Sequence, residues 1–332
     1  LDLLDPNLED MYSRRPMHLY EEIRAQTIKP DWIFIDEVQK IPKLLDVVHK
    51  SIEDLKVKFI LTGSSARKLK RGGANLLAGR AFLYSLFPFT EKELADQFNL
   101  NEVLQRGSLP QLYSLKNDED KERYLKAFTL VYLKEEIRTE QIIRNIDPFR
   151  EFLEIAAQMS GKIINYNKIG NEVGVDHKTV QNYYQILSDT WIGFFLPAFH
   201  QSVRKSQKLS PKFYFFDLGV KNILSGFTRS RPLAGNFLYG DLFEHYFITE
   251  LFRYNEYYSK DFRFSYLYTK GSAEVDLILS KGRTHYAIEI KSGESIDRVE
   301  VNKLKRIASD IKNIKRIYYI SDYKDERLIE DV

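Results

Sequence analysis

Residues 33–39 read IFIDEVQ, and one helical stretch later residues 58–65 read KFILTGSS. The first is a short apolar run closed by two acids, Asp36 and Glu37; the second is an apolar run closed by Thr62, Gly63 and Ser64. Short apolar runs separated by helical patterns predict a parallel sheet covered by helices on both faces. Strands of such a sheet deliver their C-terminal ends to the ligand crevice. Two acids placed there suit a magnesium nucleotide: Asp36 would hold Mg²⁺ through water, and Glu37 would orient the attacking water. Thr62 or Ser64, ending the next strand, could sense the γ-phosphate. An apolar run ending in Asp-Glu is common by itself; the order acid strand, helix, Thr-Gly-Ser-Ser strand is far more specific. Between the two strands, KLLDVVHKSIEDL (43–55) has helical spacing. Downstream, AFLYSLFP (81–88) predicts a third strand.

A working P-loop needs GxxxxGK followed by Ser or Thr, so that backbone amides and a lysine cradle the phosphates. The nearest candidate, Gly161-Lys162, is followed by Ile163 and has Ala156 at the first glycine position, so it fails. In this fold class the P-loop precedes the acid-bearing strand. The expectation is that it lies before Leu1, which itself opens a strand-like LDLLDP, and that the chain as it stands binds ATP poorly.

WIFIDEVQKIPKLLDVVHKSIE (32–53), KFILTGSSARKLKRGGANLLAGRA (58–81) and LFPFTEKEL (86–94) follow one another, and later come RGSLPQLYSL, YLKEEI, PKFYFFDLGV and AEVDLIL…AIEIKS. This ordered set resembles a large prokaryotic family of predicted AAA+-like ATPases whose C-terminal part is known only as a domain of unknown function. The resemblance spans nearly the whole chain. It implies an ATP- and Mg²⁺-using protein in which Asp36 and Glu37 are the Walker B pair and TGSS is the first sensor region. It offers Arg80, in LAGRA, as an arginine that reaches nucleotide across a subunit boundary, which brings a homo-oligomer into the expectation. The bland reading of Arg80 is a salt-bridged structural arginine. The family's Walker A segment is not matched in this chain.

The stretch 158–196, QMSGKIINYNKIGNEVGVDHKTVQNYYQILSDTWIGFFL, predicts a winged helix-turn-helix. Asn165 would cap the first helix, Gly174 breaks it, and Asp176 lies near the cap of the second. Val180, Tyr183, Tyr184 and Leu187 have the spacing of one buried helical face. Lys178, Thr179 and Gln181 would then be exposed and suited to phosphates or base edges. The following QSVRKSQKLSPK carries Arg204, Lys205, Lys208 and Lys212 without an acid, a local basic strip. These features favour contact with nucleic acid, expected to be DNA. The alternative is a packing or protein-docking module.

EVDLIL presents Asp276 on a strand, and HYAIEIKS presents Glu289 and Lys291 on the next. Residues i and i+2 share a face of a strand, so Glu289 and Lys291 point the same way, and a hairpin could bring Asp276 beside them. Two carboxylates can hold Mg²⁺ while the lysine orients or activates water for attack on a phosphodiester. Glu244, in the helical GDLFEHYFITEL, could complete the set. The pattern resembles the PD-(D/E)XK nuclease-like core, with Asp276, Glu289 and Lys291 on its D…ExK positions. Charges inside apolar strands demand partners, because a buried unpaired charge is costly. A nuclease-like fold can also survive as a binding module. The competing reading is therefore a non-catalytic, ATP-switched interaction or regulatory protein.

The wider composition is compatible with either reading. The chain has 332 residues, 43% apolar and 29% charged, with 21 Tyr and 22 Phe whose default use is core packing. Net charge is only +3, so a nucleic-acid partner must be argued from local clusters. No cysteine is present, which excludes disulfides and thiolate metal sites and suits a reducing, cytoplasmic setting. No run of apolar residues is long enough to span a membrane, so no membrane partner is expected. The six histidines lack zinc-site spacing and read as surface residues. The expected fold class is α/β, in four segments: a truncated P-loop ATPase core (1–90), a helical lid or linker (91–148), the winged helix-turn-helix (149–205) and the restriction-endonuclease-like α/β domain (206–332).

Overall fold

The computed structural model describes residues 1–63, 79–132, 146–200, 209–227, 236–269 and 274–322. The chain divides into two compact units, residues 1–84 with 189–191, and residues 85–188 with 192–332. Ser64, Arg204, Lys205 and Lys208 lie outside the described residues.

In the first unit, helix α1 (Pro6–Arg14) starts at Asp5, whose side chain accepts the Asn7 amide, with Pro6 at the first helical position where no amide is needed. Helix α2 (His18–Ala25) precedes strand β1 (Trp32–Ile35). Helix α3 (Leu44–Leu55) leads into strand β2 (Lys58–Leu61). β1 and β2 pair in parallel, Trp32 opposite Lys58 through Ile35 opposite Leu61. On the other side of β1, Asp2 forms a parallel bridge to Asp36, so the strand reading of LDLLDP holds locally. Leu3, Tyr12, Ile23, Ile35, Leu44 and Val48 form the core under this sheet.

Two expectations for this unit fail. Trp32, Phe34 and Ile60 are exposed, Phe34 at 59%, so one face of the strand pair carries no covering layer among the described residues. Residues 81–88 form no strand, and Phe82, Leu83 and Tyr84 are exposed. An apolar run becomes a strand only where a neighbouring strand offers hydrogen-bond partners.

The larger unit begins with α4 (Glu91–Leu94), closed by a capping box between Thr90 and Glu93. It continues through α5 (Leu100–Arg106), α6 (Asp118–Ala127) and α7 (Ile146–Gln158). Then come α8 (Tyr166–Val173) and α9 (His177–Asp189), joined at Gly174, which has the left-handed φ of +75° that a β-carbon disfavours. Strands β3 (Gly193–Leu196) and β4 (Lys212–Phe215) pair antiparallel after them. Val180, Tyr183, Tyr184 and Leu187 are buried, as their spacing predicts. Helix α10 (Leu218–Leu224) and the long α11 (Phe237–Tyr257) follow. The last sheet has strand order β5 (Arg263–Tyr268), β6 (Glu274–Lys281), β7 (Thr284–Ile290), β8 (Ile314–Ile320), with α12 (Arg298–Ser309) between β7 and β8. β5, β6 and β7 are antiparallel, whereas β8 joins β7 in parallel, the pairing that the intervening helix permits.

The segments read as lid, helix-turn-helix and C-terminal domain share one core. Leu94 and Leu104 pack in the same cluster as Leu196, Tyr214, Tyr246 and Leu277. Joining them is a buried polar clamp. Asp217 accepts from the amides of Ser108 and Val220, capping α10. Gly107, at φ +74°, passes so close to Asp217 that a β-carbon would lie 2.1 Å from its carboxylate.

Candidate functional site

The first unit brings three of its candidate residues together. Asp36 and Glu37 follow β1, and Thr62 follows β2, so the parallel register sets them side by side. The Thr62 hydroxyl donates to Asp36 Oδ1, and the Glu37 amide lies 3.4 Å from Thr62 Oγ1. Glu37 takes a left-handed φ of +57°, a conformation that costs energy for a residue with a β-carbon and that turns the chain sharply after β1. Its carboxylate accepts from the side-chain Nε2 of Gln39. Arg80 is placed elsewhere: it pairs with Glu53 of α3 at 2.6 Å, both side chains largely exposed, and holds the Glu53 carboxyl below its usual range.

In the larger unit, Asp276, Glu289, Lys291 and Glu244 line one cleft of about 450 Å³. The β6–β7 register explains this. Leu277 pairs with Ile288, so Asp276 and Glu289 are the next residues outward on adjacent strands. Asp276 is 6% exposed and Glu289 5%. Lys291 reaches back between them, 2.5 Å from Glu289 Oε1 and 3.5 Å from Asp276 Oδ2, and the Ile290 amide donates to the same Asp276 oxygen at 2.8 Å. Glu244, from α11, accepts from the Tyr214 hydroxyl at 2.7 Å and from Lys212 Nζ at 3.3 Å.

The electrostatics are those of carboxylates held against their preference. Burial, and then the neighbouring Glu244 and Glu289, push Asp276 up to about 7, against the pull of Lys291 and the Ile290 amide. Burial likewise raises Glu289. Burial alone would lower Lys291, but Asp276 and Glu289 outweigh it and hold the ammonium above its ordinary range. Glu289 Oε2 is buried and has no hydrogen-bond partner among the described residues, an arrangement that natural structures seldom leave without a purpose.

A raised carboxyl implies a pH-dependent cost. Folded Asp276 keeps its proton up to about pH 7, whereas an unfolded aspartate loses it near its ordinary value, so stability falls as pH rises between the two. Asp276→Asn, which can still accept from the Ile290 amide, removes that cost. In metal-free thermal melts its advantage over the parent is expected to grow from pH 4.5 to pH 8 by on the order of 10 °C. An advantage that shrinks as pH rises contradicts the assignment.

Two lysines of this cleft carry roles that their sequence context did not suggest. Lys212 falls at the end of the presumed basic strip, yet it is 3% exposed and pairs with Glu274 at 2.5 Å as well as with Glu244. It starts β4, where alternation turns it inward; the signal available was a lysine abutting the aromatic run FYFF. Lys162, rejected as a P-loop lysine, lines the cleft and pairs with Asp241 at 2.7 Å. His245 corrects the surface reading of the histidines. It is buried, its Nε2–H donates to the Phe215 carbonyl at 2.8 Å, and burial pushes its pKa down to about 3.

On the helix-turn-helix segment, Lys178 and Gln181 are exposed. The Thr179 hydroxyl is instead engaged by Asp176 at 2.6 Å, part of the cap of α9, so it serves the helix. Gln181 lines a second cleft with Asn165, Tyr166, Asn167, His177 and Ser210.

Comparison with known proteins gives three consecutive family matches. Residues 1–95 match a family described as an AAA domain; residues 97–231 and 239–331 each match a domain of unknown function. Together they support an AAA-like ATPase family with a C-terminal domain of unknown function. An uncharacterized protein of Mycobacterium tuberculosis is 24% identical over 273 residues, 80% of this chain and 60% of the relative. Another, from Methanocaldococcus jannaschii, is 22% identical over 329 residues, 90% of this chain and 71% of its own length. The chain thus spans about 60% of the mycobacterial relative's length. No helix among the described residues is long and apolar enough to cross a membrane.

Proposed function

We propose that this chain belongs to an ATP-driven, nucleic-acid-processing protein whose C-terminal sheet carries a divalent-metal-dependent phosphodiester-cleaving site. The observation that carries the proposal is the convergence of Asp276, Glu289, Lys291 and Glu244 on one cleft, with Glu289 Oε2 buried and unpartnered among the described residues. The donors fit a hard cation such as Mg²⁺: they are oxygens, two belong to buried carboxylates, and raised acids release their protons when a cation neutralises them. Among the described residues no three acidic or imidazole groups already close to ligand spacing. Lys291 lies between Asp276 and Glu289, and Lys212 engages Glu244, so ammonium groups meet the carboxylates. Asp276 and Glu289 would hold the metal, with Glu244 as the further acid. A bound Mg²⁺ would polarise the phosphoryl oxygen and lower the pKa of attacking water. Lys291, released from its carboxylate partners, would then orient that water or offset charge on the phosphate.

In the first unit, Asp36, Glu37 and Thr62 support the nucleotide-dependent half of the reading. Asp36 would face the magnesium nucleotide, Glu37 would orient water, and Thr62, hydrogen-bonded to Asp36, would register the γ-phosphate. Lys178 and Gln181 would contact nucleic acid.

The test is incubation of the full chain with supercoiled plasmid and with single-stranded DNA, in Mg²⁺ or Mn²⁺. Metal-dependent nicking or shortening, abolished by chelator, is the expected result. A folded, DNA-binding sample that cleaves neither substrate would favour the binding-module reading.

A further inference from the structure

We infer that the second cleft, at the start of α8 and α9, is a base-reading subsite continuous with the acid cleft, so that one nucleic-acid strand crosses both. This rests on the phosphodiester-cleaving reading of the acid cleft and adds the path of its substrate.

The two clefts meet at one stretch of chain. Lys162 lines the acid cleft, Ile163 lines both, and Ile164 through Asn167 line the second. A neighbouring segment repeats the arrangement, with Ser210 on the second cleft and Lys212 on the first. The segments are tied together, since Ile163 bridges Lys212 and the Ile164 amide donates to the Pro211 carbonyl at 3.0 Å. From Lys162 to Asn165 an extended chain covers roughly 10 Å, about three rises of a nucleic-acid strand.

The linings differ in the way backbone and bases differ. The acid cleft is charged, with Lys162 and Lys303 flanking its carboxylates. The second cleft, about 520 Å³, is lined by uncharged amides, a hydroxyl, a tyrosine and a histidine. Phosphates call for cations, whereas amides, which both donate and accept, match base edges. Asn167 and Gln181 are exposed at its mouth, and the ring of Tyr166 offers a surface on which a base can stack. Asn165, which also lines this cleft, accepts the Lys168 amide through Oδ1 and so caps α8 at its edge. The Asn167 and Gln181 side chains therefore set where along the strand the cut falls.

The chain contains no cysteine, so Gln181→Cys and Lys303→Cys each create a unique attachment point for a copper–phenanthroline cleaver. Both are tested in the full chain carrying Asp276→Asn, bound to an end-labelled mixed-sequence oligonucleotide. The expected result is cutting of the same strand from both positions, at a constant offset of a few nucleotides. Cutting from position 303 alone overturns the inference and leaves the acid-cleft reading standing. Cutting from position 181 alone, or from neither, overturns both. In parallel, Asn167→Ala combined with Gln181→Ala is expected to raise the Kd for the oligonucleotide about tenfold. An unchanged Kd in that variant also overturns the inference.

Discussion

Asp276→Ala is expected to lower metal-dependent cleavage by about a thousandfold or more while leaving the fold intact. The size follows from the role. A metal at a phosphoryl centre contributes several kcal/mol of charge stabilisation, and each 1.4 kcal/mol is a factor of ten. Burial and its acidic neighbours push Asp276 up to about 7, and its Oδ2 lies within reach of both Lys291 and the Ile290 amide. Truncation leaves Lys291 paired with Glu289, so no buried cation is stranded. Rate constants measured on a fixed plasmid substrate, with circular dichroism showing equal helix content, check this. Comparable rates for parent and variant would remove Asp276 from the chemistry.

Arg253→Leu is expected to destabilise the larger unit by about 3–5 kcal/mol, the cost of breaking a buried charge network by removing one partner. The Arg253 side chain, from α11, is almost fully buried. It donates to the carbonyls of Phe89 at 3.2 Å and Phe216 at 2.7 Å, to the Ser108 hydroxyl at 3.1 Å and to Glu250 at 3.4 Å. It therefore ties the loop before α4 and the loop after α5 to the end of β4. Its loss leaves Glu250, whose carboxyl is already raised by burial, with the Glu91 amide but without the arginine it pairs with. Arg253→Lys keeps the charge but loses the planar fork, so an intermediate cost is expected. Adding Glu250→Leu to Arg253→Leu should recover part of the loss, because the charge left without its arginine is removed too. Urea unfolding followed by far-ultraviolet circular dichroism measures all three. A loss below about 1 kcal/mol for Arg253→Leu would show that water replaces the arginine.

Legibility from sequence followed the distance over which each signal acts. IFIDEVQ and KFILTG carry local strand signals and a spacing that a parallel pair needs, so the meeting of Asp36 with Thr62 could be anticipated. AEVD and EIKS are separated by one tight turn, and that short hairpin fixes a register that sets Asp276 near Glu289. Glu244 was harder to place, because nothing local aims a residue of a long helix; the site does so through Tyr214 and Lys212 of a strand far earlier in the chain. Lys212 itself was misread for the same reason. Its immediate neighbours are basic and polar, and only the tertiary fold shows that it neutralises Glu244 and Glu274. AFLYSLFP was misread in the opposite sense: an apolar run records a wish for burial, but its strand partner is a property of the sheet. Thr179 shows a competition that sequence leaves open, since a hydroxyl three residues after a capping aspartate can serve either the helix or a ligand.

The most direct measurement is a titration of Mn²⁺ into the full chain at pH 8, with bound metal counted by electron paramagnetic resonance, for the parent and for Asp276→Asn. If Asp276 and Glu289 form a divalent-cation site, the parent binds one Mn²⁺ more per chain than the variant. Equal stoichiometry and affinity in the two proteins would contradict a metal centre in the acid cleft.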